Sequence, residues 1–339
     1  MKTIEQPLFT VVSPGLYTTI QDKGRFGYQR YGVPVNGAMD SFAAGVANLL
    51  VGADATAAVL ECTITGPTLT VLGQAYVAVT GARMPIRLNG APMPAWASFL
   101  VAAGDLLEIG QVEAGCRGYV AVTGGFEVPV VMGSRSTAMG GGYGGLQGRA
   151  LKKDDKLARG VGQLLPEPRR LPHSLVPNYA DGMVLRAIVG PQDDYFDEGL
   201  ETFFASEFFV SHEASRAGYR LSGPEIRQKA GKPVSIISES SLPGGVQIPP
   251  NGQPIILLTE QTVGGYTKIA TVISSDLDLI GQAMPGHSVR FQRIDLSAAH
   301  AVKREKMATL VKIKTILEQT DTLGDDWYFD TQFPGYSPV

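Results

Sequence analysis

Short runs of aliphatic and β-branched residues, each cut off by glycine or proline, dominate this sequence: LTVLG, YVAVTGA, IRLNGAPM, LLEIG and GYVAVTGG are examples. Runs of this length suit strands, and the punctuation supplies the turn residues that join them. The chain holds 41 glycines and 22 prolines, so many of its corners use positive or fixed φ, as tight hairpins at the ends of small barrels do. The pattern predicts a mainly β protein with a few short helices. At 339 residues the chain exceeds the roughly 100–200 residues of one ordinary core, which predicts two domains.

Two segments break the pattern with helical periodicity. Residues 41–50 place Phe42, Val46, Leu49 and Leu50 on one face, with Asp40 or Ser41 as cap and Gly52 as stop, and are read as a lid on a barrel. Residues 297–319 carry Leu310, Ile313 and Leu317 on one stripe and Lys303, Arg304, Lys306, Lys312 and Lys314 elsewhere. This second segment is read as a docked C-terminal helix with a solvated basic face rather than as a membrane-surface helix. Between them the Pro-rich stretch LLPEPRRLPHSLVPNYADG marks a linker or a belt across the surface. The aromatic tail DDWYFDTQFPGYSPV is either an arm docking on a neighbour or a disordered end.

Composition narrows the function. A balance of 44% hydrophobic and 18% charged residues excludes a disordered chain. A net charge of -3 offers no general attraction to phosphate backbones, which argues against nucleic acid as a partner. Cys62 and Cys116 alone build neither a disulfide framework nor a zinc cluster, and His173, His212, His287 and His300 form no ligand pair, so no metal site is predicted. MKTIEQPLF lacks a signal-peptide core and no run reaches the 18 or so apolar residues of a membrane span, which predicts a cytoplasmic protein.

Three stretches concentrate chemistry-bearing residues. Residues 14–40 set Asp22, Arg25 and Arg30 among five glycines, an arrangement that lets amides and guanidinium groups approach an anion; the alternative is a long loop tied internally by Asp22 and Arg25. Residues 132–149 hold Arg135, Ser136, Thr137 and Arg149 in a glycine-rich loop. The GxGxxG at Gly140, Gly142 and Gly145 has no helix after it and is no dinucleotide fingerprint, leaving a loop that closes over an anionic ligand or a set of tight turns. Residues 238–276 supply Glu239, Gln247, Glu260, Gln261 and Lys268, the carboxylates, amides and amine that orient a planar amide and move its proton. No Walker A motif and no GxSxG elbow occurs.

These stretches, with ANLLVGADATAAVLECTITGPTL, GLQGRALKKDDKL, GYRLSGP and QAMPGHSVRF, give the chain a resemblance to a known family. The family contains the C component of 5-oxoprolinase, the carboxyltransferase domain of urea carboxylase and KipA-like proteins once described as the second part of allophanate hydrolase. The resemblance runs in order from Thr10 to Phe291. It implies two cyclophilin-like β-barrel subdomains, placed at residues 1–165 and 183–295, with a linker at 166–182 and a terminal helix and tail at 296–339. It also implies a smaller partner subunit of related architecture and a third subunit. The activity implied is ATP-dependent hydrolysis of 5-oxo-L-proline to L-glutamate, with ATP as Mg-ATP held with the partner subunits. Biotin-dependent carboxyl transfer to urea or another amide, through carboxybiotin, is the alternative, and a non-enzymatic KipA-like regulatory role is a third. Carried onto this chain, Asp22, Glu239 and Gln261 are expected to be catalytic. Arg25, Arg135, Ser136, Arg149, Arg220, Gln247, Tyr266 and Lys268 are expected to bind substrate or anion. The chain departs from the family pattern at Glu260, where an arginine is expected, at Val263 and Thr267, and at Ser215, where SRAGYRL lacks an acid.

Overall fold

The computed structural model describes residues 6–179 and 181–319. Its architecture is mainly β, with few helices, as the punctuated runs predict. The first half holds two sheets. One runs in the order Phe126–Glu127, Lys156–Arg159, Gln6–Ser13, Thr68–Val71, Leu106–Ile109, Ile86–Leu88 and Ala91–Pro92; the other in the order Tyr17–Gln21, Val59–Thr63, Ala114–Val122, Ala75–Arg83 and Ser98–Val101. They enclose one core built on Leu8, Phe9, Leu60, Val77, Val120 and Val122. Register shifts at Pro7/Phe9 and at Val11/Ser13 bend the strand Gln6–Ser13 between its two neighbours, the local kink that lets a sheet curl.

The helix α1 (Ser41–Leu50) lies on the outer face of the second of these sheets. The strands beneath it are therefore covered on both faces. Val77 and Val79 face the inter-sheet core while Tyr76 and Ala78 face α1, and Val120 and Val122 alternate in the same way with Tyr119 and Ala121. This is why YVAVTGA and GYVAVTGG read as continuous apolar runs rather than alternating ones. Gly81 allows the two central strands to close up. It sits at φ +84°, and a Cβ there would come within 2.4 Å of the Arg117 carbonyl oxygen.

In the second half the ladder closes into a barrel, in the order Met183–Val189, Thr267–Val272, Gly245–Ile248, Ile255–Leu257, Gly218–Ser222, Glu207–Val210 and Ser288–Arg293. The seam joins the first and last strands in parallel, with Met183 opposite Val289 and Ala187 opposite Arg293. The helix α2 (Glu198–Ala205) plugs one side through Phe203, which stacks on Phe291 with ring centroids 4.3 Å apart. A two-stranded ribbon, Glu239–Ser240 with Val263–Gly264, stands outside the barrel wall.

Residues 166–179 cross the first half as a belt: the Leu171 amide bonds to the Trp96 carbonyl, and Leu171, Leu175 and Val176 pack beneath α1. The short helix α3 (Leu277–Gly281) and the long C-terminal helix α4 (Leu296–Gln319) then tie the halves together. Ile313 and Leu317 of α4 are buried against the α1 cluster, while the Lys306 ammonium donates to Asp278 of α3 and to the Ser275 carbonyl. No helix among the described residues is long and apolar enough to cross a membrane.

Candidate functional site

The two glycine-rich loops of the first half prove to be fastened to each other. Asp22 ends the strand Tyr17–Gln21 and accepts from the Ser134 hydroxyl at 2.7 Å, the Ser136 hydroxyl at 2.6 Å and the Arg135 amide at 2.6 Å. Arg25 is fully buried. Its guanidinium donates to the Val131 and Ser136 carbonyls and to Asn36 Oδ1, and it lies 5.0 Å from the centre of the Tyr143 ring. Asp22 and Arg25 do not pair with one another; each separately pins residues 131–137 to residues 22–37.

Of the other arginines of these loops, Arg30 lies over the Tyr31 ring at 4.8 Å, and the rest are paired. Arg135 grips both Glu127 oxygens, at 2.9 and 3.0 Å, and the Val128 carbonyl. Arg149 forms a fork with Asp155 at 2.7 and 2.8 Å, which raises its own pKa and lowers that of the carboxyl. Arg220 pairs with Glu213 on the exposed side of its strand. The structure therefore gathers Asp22, Arg25, Arg135 and Ser136 at one place, and sets Arg149 and Arg220 in separate pairs. Arg25, Arg135 and Arg149 thus all hold protein oxygens.

On the outer wall of the second-half barrel the arrangement differs. Gln247 and Lys268 are cross-strand partners, and their side chains share one face. The Lys268 ammonium donates to Glu239 on the ribbon, which holds that carboxyl below its usual pKa and keeps it ionised at neutral pH. Gln192, in the loop after Met183–Val189, bridges the pair: its amide nitrogen donates to Glu239 at 3.1 Å and its oxygen accepts from the Lys268 backbone amide at 3.0 Å. Gln247 is 4% exposed, yet its Nε2 has no hydrogen-bond partner. The carboxamide is pressed against Gly264, where a Cβ would stand 2.1 Å from that nitrogen and would push the Gln247 side chain aside.

An unpaired donor on a side chain this deeply buried costs about 1–3 kcal/mol unless a ligand or water satisfies it. Beside it, the Lys268 ammonium makes no hydrogen bond other than that to Glu239 among the described residues. Two donors and one ionised acceptor thus lie together, the Gln247 donor enclosed beneath Gly264. A planar amide needs that set: donors for its carbonyl oxygen, an acceptor for its N–H. Of the remaining expected residues, Gln261 turns its amide onto the Val263 carbonyl within its own turn, and Tyr266 stands exposed two residues before Lys268.

A further buried cluster joins the halves. Glu61, fully enclosed, receives the Arg216 guanidinium, the Tyr119 hydroxyl at 3.0 Å and the Met39 amide at 2.7 Å, with Arg117 Nε at 3.8 Å. Arg117 also donates to the Tyr219 hydroxyl at 2.6 Å, and Gln282 bridges the Cys116 and Arg117 amides to Asp40. Arg216 Nε also reaches Glu260 at 2.7 Å. Thr267, where a proline was expected, accepts from Gln228 at 2.8 Å.

Residues 31–293 match the family described as carboxyltransferase domain, subdomain A and B. The chain belongs to this carboxyltransferase family. Among relatives of the carboxyltransferase-family chain, the C component of 5-oxoprolinase from Escherichia coli (strain K12) is 36% identical over 313 residues, covering 88% of this chain and 95% of that protein. The urea amidolyase of Lachancea kluyveri is 33% identical over 336 residues, covering 93% of this chain but 18% of that protein. Among solved structures, the urea carboxylase of Kluyveromyces lactis superposes with a TM-score of 0.86 at 31% identity, over 91% of this chain and 29% of the other. That of TTHA0988 gives 0.75 at 34%, over 85% of this chain and 55% of the other. This carboxyltransferase-family chain thus spans nearly the whole of a 5-oxoprolinase subunit but under a third of the urea enzymes.

Gln192 and Gln228 carried no signal in the sequence. Both lie in loops with no periodicity, and both act on residues about 40 or more positions away. The inter-half cluster was equally hidden, because Glu61 and Arg117 sit inside runs that read as plain strands.

Proposed function

We propose that this chain is the larger carboxyltransferase-type subunit of an ATP-dependent 5-oxoprolinase, acting with a smaller barrel-type subunit and a third subunit to open 5-oxo-L-proline to L-glutamate. The observation that carries this reading is the near end-to-end match to the 5-oxoprolinase C component, 95% of whose length is covered. In this reading Lys268 and Gln247 hold the lactam carbonyl oxygen, and the ionised Glu239 accepts from the lactam N–H and fixes its plane. ATP supplies the activation of a resonance-stabilised amide. Its phosphates are assigned to the partner subunits, since Arg25, Arg135 and Arg149 of the glycine loops already hold protein oxygens.

The test is release of glutamate and ADP when the three subunits, ATP and 5-oxoproline are combined, with each component left out in turn. Strict dependence on this chain is expected. Lys268→Met and Gln247→Leu should each lower kcat/KM of the assembled enzyme by about a hundredfold without preventing assembly. A second reading, carboxyl transfer from carboxybiotin to urea or another amide, draws support from the TM-score of 0.86 with urea carboxylase. It requires this chain to carboxylate an amide when supplied with a biotinylated carrier, and the absence of glutamate release from a complete complex would favour it.

A further inference from the structure

Two hydrogen-bond donors converge on the same oxygen of Glu239. The Lys268 ammonium and the Gln192 amide nitrogen, the latter at 3.1 Å, both reach Oε1. Oε2 makes no hydrogen bond among the described residues, and the side chain is 45% exposed, so Oε2 is the oxygen left for a ligand. The two oxygens of an ionised carboxylate are chemically equal; here their surroundings make them unequal.

Gln192 is held in a way that imposes this difference. Its side-chain oxygen accepts from the Lys268 backbone amide at 3.0 Å, and because that amide can only donate, the carboxamide must turn its NH2 toward Glu239. Its backbone nitrogen donates to the Lys268 carbonyl at 3.4 Å, and its carbonyl accepts from the Tyr195 amide at 3.1 Å. The loop lies close against the strand that carries Lys268: at Gly190 a Cβ would stand 2.2 Å from the Lys268 carbonyl oxygen. Just beyond Gln192, the Lys232 ammonium pairs with Asp194 at 2.5 Å and sits 4.5 Å from the centre of the Tyr195 ring. Gln192 therefore has a fixed backbone and a fixed amide. Lys268 reaches Glu239 through a long flexible stem that can follow the carboxylate as it turns.

We propose that Gln192 is a positioning residue: by holding Oε1 together with Lys268 it stops the Glu239 carboxylate from exchanging its oxygens, and so gives Oε2 alone to the N–H of the bound amide. This rests on the functional reading above, in which Glu239 accepts from the lactam nitrogen. A carboxylate free to turn about its Cγ–Cδ bond offers that N–H two acceptors in different places, and the plane of the amide is then set less sharply. Lys268 supplies charge to Glu239; Gln192 supplies direction, and its donation adds to that of Lys268 in keeping the carboxyl ionised.

Two variants separate positioning from support of the loop. Gln192→Glu keeps an oxygen for the Lys268 amide but replaces the donor to Glu239 by a second carboxylate, whereas Gln192→Met removes both contacts. In the assembled enzyme each should lower kcat for 5-oxoproline by about tenfold while changing KM by less than about twofold. The acid limb of the kcat/KM profile, where Glu239 takes up its proton, should move to higher pH, by about one unit in Gln192→Glu and by less in Gln192→Met. A carboxyl titration of the full free chain by carbon-13 NMR, with Glu239→Gln identifying the signal, should show the same upward order without depending on turnover. If the unsubstituted complex is active and Gln192→Glu leaves kcat and the acid limb in place, Gln192 only supports its loop, and the proposal falls while the functional reading stands. An unmoved Glu239 titration in Gln192→Glu overturns it equally. An unsubstituted complex that assembles but releases no glutamate overturns the functional reading and, with it, the role given to Gln192.

Discussion

Glu61 is the side chain on which the junction of the two halves depends. It is buried to 1% exposure, and the charges that balance it, Arg117 and Arg216, come from different halves. A buried pair adds little over a well-packed apolar substitute, but removing one partner strands the other. Arg216→Leu should therefore cost about 3–5 kcal/mol, read as a lowered urea midpoint. Asp40, the cap of α1, shows the opposite electrostatics. Burial and the nearby Asp278 push its pKa up to about 7. An unfolded aspartate titrates near 4, so from about pH 4 to 7 the folded chain holds a proton that the unfolded chain has lost. Unfolding free energy should accordingly fall as pH rises through that window and level off above it. Asp40→Asn should flatten the dependence, as denaturant midpoints at pH 5 and pH 8 would show. Which residues carry charge is plain in the sequence, but which ones they meet is not. Asp22 finds Ser134 and Ser136, Arg216 finds Glu61 155 positions away, and nothing local announces either partner.

Among elements, α4 shows how far periodicity reaches. Its stripe of Leu310, Ile313 and Leu317 was legible because a 3.6-residue period needs no knowledge of what it packs against, and the helix occupies Leu296–Gln319. Its target, the back of α1 and Trp96, and the Lys306 contact to α3 were not legible, since both depend on the belt and barrel being folded first. Ile313→Ala should remove about 2–5 kcal/mol of stability through the lost methyls and the cavity left between α4 and α1. A denaturation curve with unchanged slope and lowered midpoint would bear that out. The glycine-rich loops teach the converse. Clustered arginines and glycines suggested an anion site; in the fold the guanidinium groups of Arg25 and Arg135 crosslink loops too irregular to pair their own carbonyls. The amide-reading cluster on the barrel wall was visible as residue types, Glu239, Gln247 and Lys268. Its geometry was not, because the pairing of Gln247 with Lys268 requires the register of strands about 20 residues apart and the bulge beside them.

For the whole molecule, the mainly β class follows from turn spacing, while the closure pattern does not. In the barrel the strand Met183–Val189 pairs in parallel with Ser288–Arg293, and in the first half Gln6–Ser13 pairs with Lys156–Arg159. Each half therefore joins its opening segment to its closing one. On the ribosome, a nascent chain that has emerged only as far as residue 285 has made six of the seven barrel strands but cannot close the ring. Two strand edges wait for the last one, at the roughly 5–20 residues per second of synthesis. The second half is thus exposed to misassociation until residues 288–293 have emerged, and closure of its ring waits on translation of the stretch after residue 285.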